Sequence, residues 1–190
     1  MGREFELKYR TDLETIAAIQ AKYGDFSPIS METTYYDTQD LKLSFHHWTL
    51  RRRMENGVSV CTFKRPLEDG SRGEWEVEAP NIMEGVMKLC QNGADWELMR
   101  ACSGGLMPLC GAKFTRLAKT LEIPGGTVEL ALDQGCLLGR GREVPFAEVE
   151  VELKSGTDEA AAAFAAELAR EFGLEAEPKS KFIRAMALAF

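Results

Sequence analysis

Histidine is nearly missing from this 190-residue chain: His46 and His47 are the only two, side by side next to Trp48. Two adjacent histidines in a strand-like stretch exclude a Ser-His-Asp triad. They also leave too few ligands for a Cys/His zinc site, because the five cysteines (Cys61, Cys90, Cys102, Cys110, Cys136) form no CxxC pair. Neither GxxxxGK[ST] nor GxGxxG occurs, which removes the P-loop and the Rossmann phosphate cradle. No run of about 18 apolar residues exists to span a bilayer, and the N-terminus has no apolar signal core. Positive charge is in deficit, with 23 Lys and Arg against 30 Asp and Glu for a net −7. A general nucleic-acid or anionic-membrane binder is therefore not expected, and any anionic ligand must meet a local concentration of positive charge. Scattered thiols suit a reducing compartment, so a soluble cytoplasmic protein is expected. At 45% hydrophobic residues the chain has enough for a core, and its length fits one domain over 1–190.

What is present is mostly strand and turn. "EFELKYR" at 4–10 alternates charged and apolar residues, and "TDLETIAAIQAKYG" then reads as a helix. Thr11 or Asp12 is its N-cap, Gly24 its stop, and Leu13, Ile16, Ala17 and Ile19 its apolar face. "METTYYDTQDLKL" predicts a strand running into a turn at Asp37–Asp40. "WTLRRRMENGVSVCTFKRP" predicts a hairpin turning at Asn56-Gly57, and "SRGEWEVEAP" a strand ended by Pro80. Residues 81–112 read as short helices serving as cover or connection. "AKFTRLAKTLEIPGGTVELALDQGCLLGRGREVPFAEVEVELKSG" predicts strands broken at "PGG", "QG" and "GRGRE". A helix capped by Thr157 or Asp158 and stopped by Gly173 follows, and "SKFIRAMALAF" is a last helix. About eight strands joined by short turns imply an antiparallel α+β fold.

The charges recur with period two in strand after strand: Glu4, Glu6 and Lys8; Arg51 and Arg53; Lys64; Arg72, Glu74 and Glu76; Glu129 and Asp133; Glu148, Glu150 and Glu152. One such row fits a solvated sheet face. Successive glutamates on one face repel, however, and call for a cation or a basic neighbour. Taken together, the rows favour a shared polar lumen with the apolar rows turned outward to helices. Carboxylates there suit Mg2+ or Mn2+, and arginines and lysines suit phosphate oxygens. Trp48, Trp75 and Trp96 are expected to pack, and Lys119 and Arg142 to be ordinary exposed charges.

Glu4-x-Glu6-x-Lys8 at the N-terminus, with "YYDT", "LRRR", "TFK", "RGEWE", "LALDQG", "AEVEVEL" and "KSKFIRA" in order, resembles the CYTH superfamily, or triphosphate tunnel metalloenzymes. The resemblance covers all but about residues 81–112. It implies an eight-stranded antiparallel β-barrel, a tunnel with flanking helices, holding a linear triphosphate and a divalent metal, Mg2+ or Mn2+, as two ions. It makes Glu4, Glu6, Asp133, Glu148, Glu150 and Glu152 metal ligands. Lys8, Arg51, Arg53, Lys64, Arg72, Arg116, Lys181 and Arg184 would grip phosphate. Glu74 and Glu76 would orient basic residues or ligate metal through water. Lys8, Tyr35 and Lys64 would stand at the reaction centre, Tyr35 paired with Lys64, and Lys8 serving as a charge or as a base.

The shared motifs do not separate the activities of this superfamily. "TVELALDQG" and the stretch from "EVEVELKSG" onward resemble its bacterial inorganic triphosphatase branch, so hydrolysis of tripolyphosphate to pyrophosphate and phosphate is expected. Class IV adenylate cyclase, forming cyclic AMP and pyrophosphate from ATP, and thiamine triphosphatase are the enzymatic alternatives. A non-catalytic triphosphate or polyphosphate sensor is the third reading. The partner implied is a small-molecule triphosphate, and oligomeric state is not legible.

Overall fold

The computed structural model describes residues 2–68 and 70–190. Eight strands carry the architecture: β2 (Glu6–Arg10), β3 (Ser27–Asp37), β4 (Thr49–Glu55), β5 (Val58–Pro66), β6 (Arg72–Glu78), β7 (Met107–Ile123), β8 (Gly126–Gly139) and β9 (Arg142–Gly156). Two-residue strands β1 (Gly2–Arg3) and β10 (Glu175–Ala176) flank them. All pairings are antiparallel, in the order β1-β6-β5-β4-β3-β7-β8-β9-β2-β10. The expected eight-stranded antiparallel tunnel is present, with one correction: among the described residues no ladder joins β6 to β2, so hydrogen bonds there do not close the barrel. The N-terminal segment bridges the gap, pairing with β6 at Gly2–Arg3 and with β9 from Glu6 onward. Glu4 and Phe5 sit at the change of partner, and the Phe5 carbonyl accepts from the Leu153 amide at 2.9 Å. The sheet is thus curled so that its two ends meet along one short stretch of chain.

Local chemistry accounts for the turns. Asn56 (φ 48°) and Gly57 (φ 86°) both take the left-handed conformation that a two-residue hairpin loop requires. "QG", by contrast, is no break, because β8 runs straight through Gly135. A Cβ there would lie 2.1 Å from the Lys113 carbonyl oxygen and 2.5 Å from Phe114 Cα, so the glycine marks a close approach to β7 rather than a turn. Strand β7 also begins at Met107, inside the stretch read as helical cover. Only α3 (Ile82–Gln91) and α4 (Glu97–Cys102) are helical there.

Strand alternation sorts the side chains. On one face, Val149 and Val151 of β9 pack with α1 (Leu13–Tyr23) and α5 (Asp158–Phe172), and Phe63 and Trp75 pack with α3 and α4. In α1 the buried stripe is Ile16, Ile19 and Tyr23. At about 100° per residue, Leu13 falls about 90° and Ala17 about 130° from its centre, and both face solvent. Trp48 and Trp75 flank Phe63 at 5.4 and 5.7 Å, as packing residues should, whereas Trp96 is 53% exposed and corrects that expectation. Lys119 is no free surface charge either: it donates to the Tyr23 and Gly24 carbonyls at the end of α1, at 2.6 and 2.9 Å.

The last helix, α6 (Lys181–Ala189), breaks the rule that helices cover the outside. Ala185 and Phe182 pack with Met31, Tyr35 and Phe114. These share the strand face of Arg51, Arg53 and Arg116, so α6 lies on the inner face. Among the described residues no helix is long and apolar enough to cross a membrane.

Candidate functional site

The curled sheet encloses a cavity of about 940 Å³. Of the residues singled out in the sequence, Glu4, Glu6, Lys8, Tyr35, Arg51, Arg53, Lys64, Arg72, Glu74, Glu76, Arg116, Glu150, Glu152 and Lys181 line it. Asp133, Glu148 and Arg184 lie behind this lining, the two carboxylates with no exposed surface. The sequence reading missed Glu55, Glu129 and Lys154 as site residues, and they line the cavity too. The signal was available for the last two: Glu129 was in the charged rows, and Lys154 extends 148-150-152 by one more step of two.

Register explains the groupings. Glu6, Lys8 and Arg10 of β2 stand opposite Glu152, Glu150 and Glu148 of β9, and Asp133 of β8 stands opposite both Glu148 and Arg116 of β7. Asp133, Glu148 and Glu150 consequently gather, with ligand oxygens all within 4.8 Å of one another. Arg116 forks onto Asp133 with two 2.8 Å hydrogen bonds and also reaches Glu150. Lys181 donates to Glu150 at 2.6 Å, pairs with Asp133 at 2.8 Å and contacts Glu148, which Arg184 also contacts.

A second group gathers where the sheet ends meet. Lys64 pairs with Glu4 at 2.6 Å and with Glu74 at 3.5 Å, and Arg51 approaches Glu74 at 3.9 Å. Burial favours a protonated Glu4, but Lys64 and Arg51 outweigh it and hold the carboxyl below its ordinary range. Between the groups lies Glu6, whose nearest cation among the described residues is Lys8 at 3.7 Å. Burial first, then the charges of Glu150 and Glu4, push its pKa up to about 8. That is a surplus of negative charge in the lumen wall.

The opposite surplus sits on β4. Arg53 donates to Thr33 at 3.0 Å and has, among the described residues, a single carboxylate, Glu55, at 3.6 Å. Burial first, then Arg51 and Arg116, lower its pKa to about 10. Arg51 Nε is buried with no hydrogen-bond partner. Of the remaining residues, Glu76 accepts from Thr62 at 3.2 Å, Arg72 donates to Thr49 at 3.3 Å, and Glu152 pairs with Lys154 at 2.9 Å. Tyr35 packs against Phe182 with ring centroids 5.0 Å apart and stands opposite Arg51, whereas Lys64 pairs with Glu4 and Glu74.

The CYTH domain model matches residues 2–186. The chain belongs to the CYTH domain family. It is 30% identical over 125 residues to the inorganic triphosphatase of Haemophilus influenzae, which covers 65% of this chain. The chain spans only 36% of that protein's length. Several solved structures share the fold, two of them as follows. A candidate adenylate cyclase from Bacillus halodurans superposes with a TM-score of 0.68 at 22% identity, covering 97% of this chain and 98% of its own. A candidate adenylyl cyclase from Hippeastrum, described as having a dominant triphosphatase activity, superposes at 0.70 with 18% identity, covering 98% of this chain and 97% of its own.

Proposed function

We propose that the chain is a metal-dependent triphosphatase that cleaves inorganic tripolyphosphate to pyrophosphate and phosphate inside the charged tunnel. The observation that carries this reading is a crowded acidic grouping and a crowded basic grouping facing one cavity. Glu6, with Glu4 and Glu150 close by, has more negative charge around it than its cations offset; Arg53, with Arg51 and Arg116, has more positive. A divalent cation bound to a polyanion relieves both surpluses at once, which neither a simple anion nor a simple cation does.

The donor set fits such an ion. Three buried carboxylates with converging oxygens, and Glu4 and Glu6 nearby, are hard oxygen ligands suited to Mg2+ or Mn2+. Glu4, Glu6, Asp133, Glu148, Glu150 and Glu152 would hold two ions, which supply charge neutralisation and a more acidic bound water. Arg51 offers an unsatisfied Nε–H and Arg53 a guanidinium with one carboxylate partner, so both present donors to phosphate oxygens. Lys8, Lys64, Arg72 and Arg116 complete the basic wall, and Lys8 stands beside Glu6 as a charge or a base. In the reaction a water oxygen bonds to a terminal phosphorus and gives up a proton to solvent, the bridging P–O bond breaks with its electron pair passing to the bridging oxygen, and pyrophosphate leaves. Positioning and charge neutralisation are the main demands.

The similarity to a bacterial inorganic triphosphatase supports tripolyphosphate over the alternatives. Product analysis with tripolyphosphate, ATP and thiamine triphosphate in parallel, each with Mg2+ and with Mn2+, tests the choice. Phosphate release mainly from tripolyphosphate is expected. Cyclic AMP with pyrophosphate from ATP would make the chain a cyclase, and faster turnover of thiamine triphosphate would reassign the substrate. Tight triphosphate binding without product would make it a sensor.

A further inference from the structure

The Asp133–Glu148–Glu150 cluster is balanced from within the chain: among the described residues three carboxylates face three cations, and Lys181 alone touches all three acids. Two of its ammonium N–H donors go to Glu148 and Glu150, and Asp133 pairs with the same nitrogen at 2.8 Å. Lys181 is also firmly anchored. It is the first residue of α6, follows the N-cap Ser180, and lies over the rings of Phe114 and Phe146 at 5.0 and 5.5 Å. Ala185, one turn on, is fully buried where the helix approaches Gly139; a Cβ on Gly139 would sit 2.8 Å from the Ala185 carbonyl oxygen. Lys181 nonetheless lines the same cavity as the arginines of β4.

We infer that Lys181 is a tethered competitor of the divalent cation, engaging the same carboxylate oxygens and yielding them when metal binds. This rests on the metal-dependent reading of the site. The released ammonium remains at the cavity wall and turns to a phosphate oxygen. Metal and triphosphate therefore assist each other, because each stabilises the arrangement in which Lys181 has left the acids, and by linkage the assistance is reciprocal. Lys181 thus acts as a positioning residue that couples the two ligands, beyond a fixed grip on phosphate. Arg184 is the internal control, since it carries the same charge but contacts Glu148 alone within the cluster.

The test is Mn2+ binding, followed by electron paramagnetic resonance with Mn2+ as the sole added ligand, to the wild-type chain, Lys181→Met and Arg184→Met. Lys181→Met is expected to bind Mn2+ about tenfold more tightly than wild type, and Arg184→Met to gain clearly less. Equal gains in the two variants would reduce the effect to general electrostatics and overturn the competition. No gain in a folded Lys181→Met would overturn it too, while leaving the metal site standing. No Mn2+ binding to any of the three would remove both the metal reading and this inference. If Lys181→Met does not fold, the wild type still decides the matter through the nitrogen-15 resonance of the Lys181 ammonium, assigned with Lys181→Arg. Saturating Mg2+ should shift that signal and speed its hydrogen exchange, and an unchanged signal would overturn the competition.

Discussion

Glu6 makes the metal reading quantitative. Its pKa of about 8 means that at pH 7 roughly nine in ten molecules carry a proton there. A divalent cation binds the ionised carboxylate, so that proton must leave. Binding of Mg2+ at pH 7 should therefore release about 0.9 proton per protein from this group, falling to about 0.1 at pH 9, where Glu6 is already ionised. Isothermal titration of Mg2+ in buffers of differing ionisation enthalpy measures this directly, as the slope of observed heat against buffer enthalpy. The variant Glu6→Gln has no proton to give and should bind Mg2+ more weakly with a slope near zero. A wild-type slope near zero at pH 7, with Mg2+ bound, would refute the argument: it would show Glu6 already ionised, or outside the metal site.

Four further outcomes follow. A carboxyl raised in the folded state favours folding fully below its unfolded value and loses that contribution as pH rises through about 8. Denaturation without divalent ions should accordingly show Glu6→Gln gaining stability relative to wild type between about pH 4.5 and 8, by at most about 5 kcal/mol and by less as lumen water screens the group; a constant difference would contradict the shift. Arg51→Ala should weaken tripolyphosphate binding by about tenfold or more, as expected for loss of a charge-assisted donor, and unchanged calorimetric affinity would remove Arg51 from the grip. Glu4→Gln and Glu148→Gln should part company: Glu4 is part-exposed at the lumen and its loss should leave the fold intact, whereas Glu148 is fully buried between Lys181 and Arg184 and its loss should cost about 3–5 kcal/mol in denaturant melts. Gly135→Ala, which would put a methyl against the β7 backbone, should lower stability by about 1–3 kcal/mol, and a neutral melt would show that β8 can move aside.

Much of this was legible because strand alternation is a simple code. Val149 and Val151 against Glu148, Glu150 and Glu152 specify which side of β9 faces the helices, whatever lies across the lumen. Asn56-Gly57 likewise fixes a turn through backbone angles alone. What the alternation does not encode is closure. The N-terminal segment divides its hydrogen bonds between β6 and β9, a choice made by non-local geometry and invisible in "EFELK" itself. Gly135 reads as a break in sequence because a glycine required for close strand approach looks the same there as one required for a turn. The site residues were readable as a set but not as pairs. Lys181 and Arg184 announce themselves as basic residues one helical turn apart, yet only the inward seating of α6 sets them against Glu148. Tyr35 and Lys64 were matched through the family pattern, while the fold gives Lys64 to Glu4 and Glu74.

The most direct test of the central claim is a phosphorus-31 NMR time course of tripolyphosphate with the protein, run with Mg2+ and again with excess chelator. The account predicts pyrophosphate and phosphate appearing in equal amounts with Mg2+ and neither with chelator. Tripolyphosphate that stays intact beside the folded, Mg2+-loaded protein would contradict it, as would cleavage indifferent to the chelator.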